Sequence, residues 1–160
     1  MKNRKGVEGI MSKDSSDALE DLRYRREQTR IGGGLKRQES IRISGRGTAR
    51  DRIRSLLDEE SFVEIDTFLT HRTTDHGMFM HETLGDGVVC GHGTVDGRSI
   101  YCFAQDFSVH GGSMGEMHAL KIAKVVEMAE RSKVPLVGIW DGGGQRAQDG
   151  IAALGGTGEL

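Results

Sequence analysis

A strand that runs straight into a glycine turn constrains this chain more than any other stretch. Residues 134–146 read Val134-Pro135-Leu136-Val137-Gly138-Ile139-Trp140-Asp141-Gly142-Gly143-Gly144-Gln145-Arg146. A short apolar run stops at an acid, three glycines follow, and a helix-compatible segment, 146–154, begins. Glycines carry no side chain, so a ligand can come close to their N–H groups. A helix start just beyond adds unpaired donors and the positive end of a dipole. Together these parts suit an oxygen on which negative charge develops. The turn is therefore expected to form part of the functional site, with Trp140 packed in the core at the strand end.

The remaining pattern is α/β. Asp96-Gly97 between Val88–Val95 and Ser99–Ala104 signals a hairpin. From 115 to 133 the period is helical, with Ala119, Ile122, Ala123, Val126 and Ala129 on one face and Lys121, Lys124, Glu127 and Arg131 outside it. Thr48 is placed to cap a helix over TARDRIRSLL, and residues 62–68 suit a strand. Residues 69–87 and 105–114 read as loops. Residues 1–16 read as a mobile tail, 17–30 as an exposed polar helix, and the Gly/Ser/Arg stretch to Gly47 as a linker. Hairpin, helix, strand, glycine loop and helix make a ββα unit followed by the start of another. Such a sheet needs more strands than this sequence holds, so a larger polypeptide or a partner is expected to supply the missing layers.

Composition narrows the function. The net charge is −2 over 160 residues, which argues against general affinity for nucleic acid or anionic membranes. Lys and Arg outnumber Asp and Glu fifteen to eleven in residues 1–60, and this reads as a solvated helical surface. Arg23, Arg25, Arg26 and Arg30 belong to it, although a grip on a phosphate is the competing reading. No stretch reaches the roughly 18 apolar residues of a membrane span. No signal peptide is recognisable, so Cys90 and Cys102 are expected to be buried thiols and the cytoplasm is the default compartment.

Three motifs invite other chemistry. Gly111-Gly112-Ser113-Met114-Gly115 satisfies the serine-hydrolase elbow, with His110 or His118 as base. The competing reading makes Ser113 the cap of the following helix, with Glu116 completing a capping box. His71, His76 and His81 recur every five residues, a spacing that faces no one side of a helix or strand, so a surface loop is expected rather than a metal site. Gly91-His92-Gly93 sits in a hairpin rather than a strand-to-helix turn, so it is no dinucleotide fingerprint.

From about residue 48 the chain resembles the N-terminal part of the biotin-dependent acyl-CoA carboxyltransferases, the family of the propionyl-CoA carboxylase β subunit and methylmalonyl-CoA carboxyltransferase. The matching motifs, in order, include Thr48-Ala49-Arg50-Asp51-Arg52-Ile53, Gly85-Asp86-Gly87-Val88-Val89, Gly93-Thr94-Val95-Asp96-Gly97-Arg98 and Gln105-Asp106-Phe107-Ser108-Val109. Gly111-Gly112-Ser113-Met114-Gly115-Glu116, Asp141-x-Gly143-Gly144-x-Arg146 and Gly158-Glu159 complete the series.

The resemblance implies a crotonase-like (ClpP/crotonase) ββα spiral, incomplete here, with a helical N-terminal extension. Residues 48–160 would be the first part of the N-terminal carboxyltransferase domain, and residues 1–47 a tail and polar helix. It implies movement of a carboxyl group between carboxybiotin and the α-carbon of an acyl-CoA through an enolate. Gly143 and Gly144 would be the oxyanion donors, and Gly111, Gly112, Ser113, Gln145 and Arg146 would serve substrate binding. Biotin would arrive on a carrier or carboxylase partner, the remaining carboxyltransferase polypeptide would complete the site, the assembly would be a homo-oligomer, and this chain would need no metal. Two departures stand out. The family's Ser-Gly-Gly-Ala-Arg is Gly142-Gly143-Gly144-Gln145-Arg146 here, which puts a bulky amide where substrate should approach, and its Gly-Tyr-Gly-Glu is Gly156-Thr157-Gly158-Glu159. The isolated chain is expected to be inactive; a non-catalytic assembly module derived from the family is the alternative.

Overall fold

The computed structural model describes the backbone of residues 5–160 and the side chains from residue 15 onward. Helices α1 (Lys5–Ile31), α2 (Leu35–Ile43) and α3 (Ala49–Leu56) come first. Strands β1 (Val63–Ile65), β2 (Val88–Val95) and β3 (Arg98–Gln105) follow, then helix α4 (Glu116–Ser132), strand β4 (Leu136–Ile139) and helix α5 (Ile151–Gly158). The strands form one sheet in the order β1-β2-β3-β4. The first two pairings are antiparallel and β3–β4 is parallel. A parallel neighbour needs a crossover, and α4 supplies it.

Local chemistry explains the hairpin. Asp96 and Gly97 have φ of 49° and 73°, as a tight two-residue hairpin turn demands. The Asp58 carboxylate beyond α3 accepts both of their N–H groups at 2.9 Å and so ties the turn to the helix. Side-chain alternation then divides the core between two faces. Val89, Ile100, Cys102 and Ala104 pack against Ala49, Ile53 and Leu57 of the α3 region. Val88, Cys90 and Phe103 pack against Ala119, Ile122 and Val125 of α4. The sheet is thus covered on both sides, and the two free cysteines are buried on opposite faces.

Thr48 caps α3 as its sequence position predicts. Its hydroxyl accepts the Asp51 N–H, and the Asp51 carboxylate accepts the Thr48 N–H at 3.0 Å. Elsewhere tertiary contacts change the expected elements. Residues 35–43, read as linker, form α2, whose Gln38 and Ile41 are buried. Gln38 caps the end of α1 by donating to the carbonyls of Arg30 and Ile31. Residues 5–16, read as tail, lie in α1, and residues 1–4 fall outside the described residues. Arg25 and Arg30 pair along α1 with Asp21 and Glu27, as a solvated helix face would. Lys121 turns inward, not outward: its ammonium is buried and donates to the Val88 carbonyl at 2.7 Å. Trp140 is 58 % exposed and meets Phe103 only edge-on.

The α3 cap makes a testable contribution. Burial works upward on the Asp51 carboxyl, but Arg42 and Thr48 hold it down to about 2, below its ordinary 3.8. A depressed carboxylate stabilises the fold above its unfolded value, and that stabilisation is lost as pH falls through the folded one. Asp51→Ala is expected to lower unfolding free energy by about 1 kcal/mol at pH 7. The gap between wild type and variant in urea titrations should shrink as pH drops from 4 toward 2.

Candidate functional site

Two loops meet at the C-terminal ends of β3 and β4. One, Val109–Gly115, leads into α4; the other, Asp141–Arg146, leaves β4. The Gly143 N–H donates to the Gly111 carbonyl at 3.0 Å, the Met114 N–H to the Gly144 carbonyl at 2.8 Å, and the Arg146 N–H to the Met114 carbonyl at 2.9 Å. Met114 and Gln145 thereby form a single parallel bridge. The contact is too close for side chains. A Cβ on Gly112 would lie 2.1 Å from the Asp141 carbonyl oxygen, and one on Gly142 would lie 2.2 Å from the Gly112 oxygen.

This zipper splits the expected donor pair. The Gly143 N–H is already engaged by Gly111, so it is not free to meet a ligand. The Gly144 N–H has no hydrogen-bond partner among the described residues, and neither do those of Gly142 and Gln145; all three residues are exposed. Gly144 has φ of 93°, and nothing lies within 4 Å of where its Cβ would be. The donors owe nothing to a helix start. A short 3₁₀ turn, Ala147–Asp149, intervenes, and α5 begins only at Ile151.

Each end of the Asp141–Arg146 loop is clamped. At the front, the Asp141 N–H donates to Gln105 Oε1 at 2.9 Å. Its carboxylate pairs with Arg46 and, at 2.8 Å, with Arg52. At the rear stands Arg146, expected at the substrate but 1 % exposed. Its guanidinium pairs with Asp86 at 2.5 Å and donates to the carbonyls of Ser113 (3.0 Å) and Asp86 (3.3 Å). Arg146 therefore ties the loops together from a buried position, with its guanidinium turned to Asp86 and Ser113. Burial pushes the Asp86 carboxyl upward, and the Arg146 charge opposes that.

Gln145 was expected across the approach. Its amide instead meets the Thr157 hydroxyl of α5 at 2.7 Å, in either amide orientation. The bulky residue replacing the family's alanine is thus folded aside, onto the threonine replacing the family's tyrosine.

The serine-hydrolase constellation is not assembled. The Ser113 hydroxyl donates to the His110 carbonyl, and His118 is buried with both nitrogens engaged elsewhere. Nor does Ser113 cap α4. Gly115 is the cap residue, and the free Glu116 N–H is taken by the Asp149 carboxylate at 3.1 Å. His71 is buried against the Met78 carbonyl, while His76 and His81 are exposed.

The N-terminal helices complete the surroundings. At the α1–α2 turn the Gly33 N–H donates to Ser108 Oγ at 3.0 Å, and Arg37 donates to the Ser108 carbonyl at 3.2 Å. Arg46 also lies over the Phe107 ring, 4.3 Å from its centroid. A cavity of about 380 Å³ opens between Arg37, Phe107, His110 and Gly111. A second, of about 480 Å³, continues past Arg37 toward His76, His81 and Gln148. Asp86, Gln105 and Asp149 were not singled out by sequence as site residues, and His118 only as a base for the hydrolase reading, because single polar residues at strand ends and in helices carry no local sign of burial.

A two-sided α/β sheet with backbone amides presented at its strand ends defines the class, and comparison with known proteins supplies the family. The chain belongs to the carboxyl transferase domain family, whose model matches residues 41–160. It is 49 % identical over 144 residues to the propionyl-CoA carboxylase beta chain of Roseobacter denitrificans, covering 90 % of this chain and 28 % of that protein. It is 46 % identical over 142 residues to methylmalonyl-CoA decarboxylase subunit alpha of Propionigenium modestum, covering 89 % and 28 %. The fold superposes with a TM-score of 0.87 on transcarboxylase 12S, a hexamer assembly solved with methylmalonyl-coenzyme A and methylmalonic acid bound. That likeness has 40 % identity and covers 90 % of this chain and 28 % of the other. The architecture is accordingly part of a crotonase-like fold, and the chain spans about 28 % of the length of these relatives.

The buried polar layer predicts a pH response. Burial, reinforced by the Arg146 charge, lowers His118 from its ordinary 6.5 to about 3. The unfolded chain takes up a proton there that the folded chain refuses, so stability is full above pH 6.5 and falls as pH drops toward 3. His118→Asn, which keeps a donor for the Asp86 carbonyl, should remove a slope of up to about 1.4 kcal/mol per pH unit in that window. Denaturant unfolding of both proteins between pH 7 and 4 measures the difference.

Proposed function

We propose that this chain is the part of a biotin-dependent carboxyltransferase that holds the acyl-CoA thioester while a carboxyl group moves between carboxybiotin and the acyl α-carbon. Removing the α-proton places negative charge on the thioester oxygen, and a preorganised N–H in a water-poor site stabilises it. The single observation that carries this reading is the free, exposed Gly144 N–H on a loop zippered to Gly111–Met114. Its neighbour Gln145 offers a second free N–H. Donors fixed before the reaction need no reorganisation as charge appears.

The adjoining cavities suit the rest of the substrate. The Gly111 cavity lies beside the loop and is walled by Phe107, Ser108 and His110. Arg37 borders both cavities and offers a guanidinium to the phosphates of coenzyme A. Carboxybiotin enters this scheme as a substrate delivered by a carrier or carboxylase partner. The exposed Trp140, Ile151 and Leu154 suit the remaining carboxyltransferase polypeptide, which would supply the biotin-facing half. Two buried, unpaired thiols fit a reducing compartment, and the proposal places the chemistry in the cytoplasm. The non-catalytic alternative rested on Gln145 and on the part of the family's length that the chain spans; the turn of the Gln145 side chain toward Thr157 speaks against the first ground.

Transfer of labelled carboxyl from carboxybiotin to propionyl-CoA tests the proposal. The complete carboxyltransferase carrying this segment is expected to be active and the isolated chain inactive. Gly142→Ala in the complete enzyme forces the loops apart and should reduce kcat by about 100-fold, the usual cost of losing an oxyanion donor. Wild-type rates in that variant would contradict the assignment.

A further inference from the structure

Gln105 ends β3, is 5 % exposed, and has both faces of its amide engaged. Its Oε1 accepts the Asp141 N–H at 2.9 Å, and its Nε2 lies 3.3 Å from His118 Nε2. His118 Nδ1 lies 3.0 Å from the Asp86 carbonyl oxygen. A carbonyl can only accept, so Nδ1 must carry the proton. In a neutral ring that leaves Nε2 as an acceptor, which can face only the NH₂ side of the Gln105 amide. Gln105 Oε1 is thereby directed at Asp141. Reversing the amide would set its NH₂ against the Asp141 N–H, donor against donor.

We propose that Gln105, oriented through the His118 tautomer, is a positioning residue for the Asp141–Gly144 loop. It acts on the proposed chemistry only through the Asp141 peptide and touches no substrate. Gly142 confirms how tight the contact is, since a Cβ there would come within 2.7 Å of Gln105 Oε1. The arrangement fixes the residue just before the glycines. The Gly143–Gly111 rung then sets the stance of the next peptide. The catalytic meaning of this device rests on the carboxyltransferase reading; the device itself does not.

Gln105→Met keeps the length of the side chain and removes both polar atoms. Amide hydrogen exchange on the 160-residue chain reads the result residue by residue. The Asp141 and Gly143 amides should exchange about five- to tenfold faster, the usual worth of one hydrogen bond, while Cys90 and Phe103 in the sheet keep wild-type protection. Unchanged Asp141 and Gly143 exchange would overturn the proposal. So would equal acceleration in the sheet, which would make Gln105 a general core residue. ¹⁵N spectra of wild-type His118 give a measurement that needs no variant: protonated Nδ1 and bare Nε2 are expected, and the opposite tautomer refutes the chain of inference. In the complete enzyme the variant should lower kcat with little change in KM for acyl-CoA. Absence of transfer in the wild-type enzyme would sink the carboxyltransferase reading and leave the exchange and tautomer results to decide the role of Gln105.

Discussion

The structure around the glycine loops depends on one buried cation. Arg146 is sealed from solvent together with Asp86, with Asp149 3.8 Å away, and it also donates to the carbonyls of Asp86 and Ser113. A buried guanidinium is tolerable only when paired and hydrogen-bonded, and removing one partner of such a pair commonly costs about 3–5 kcal/mol. The pair therefore fixes the turn before β2, the loop before α4 and the loop after β4 relative to one another. His118 adds to it by sharing the Asp86 carbonyl with Arg146, and Lys121 by donating to the carbonyls of Gly85 and Val88. Three cation-forming side chains thus converge on one short stretch of backbone beneath the two glycine loops.

This polar floor explains how a surface made almost entirely of main chain can be held in one shape. Backbone amides are good charge-holding donors because they cannot change rotamer, but only if the peptides carrying them are held still. Glycines at Gly112 and Gly142 allow the loops to touch, and touching consumes the Gly143 N–H as a structural rung. The neighbouring Gly144 N–H is left facing outward from a fixed frame. The N-terminal helices belong to the same frame, since Arg46 and Arg52 hold the Asp141 carboxylate and Gly33 holds Ser108.

Features with local causes were readable in the chain. Asp96-Gly97 announced its hairpin, Thr48 announced the α3 cap, and the apolar period announced α4. Features decided by distant contacts were not. α2 is mostly polar, yet its Gln38 and Ile41 are buried and Gln38 holds the end of α1. Lys121 sits where periodicity placed solvent, but carbonyls wait for it on the inside. The cap of α4 comes from Asp149, 33 residues downstream, rather than from Ser113 next door. In the glycine turn the N–H groups of Gly142, Gly144 and Gln145 have no hydrogen-bond partner among the described residues, while that of Gly143 does. Which amides stay free depends on the opposite loop, so the division between Gly143 and Gly144 could not be read from their order in the chain.

The central claim is that Gly144, in a frame locked by Arg146 and Gly111, presents its N–H to an acyl-CoA thioester. Titrating propionyl-CoA into ¹⁵N-labelled protein while following individual amides tests it most directly. The account predicts that the Gly144 resonance moves on binding, Gln145 with it, while the rung amides of Gly143, Met114 and Arg146 stay in place. Movement of the rung amides with Gly144 unperturbed would contradict it.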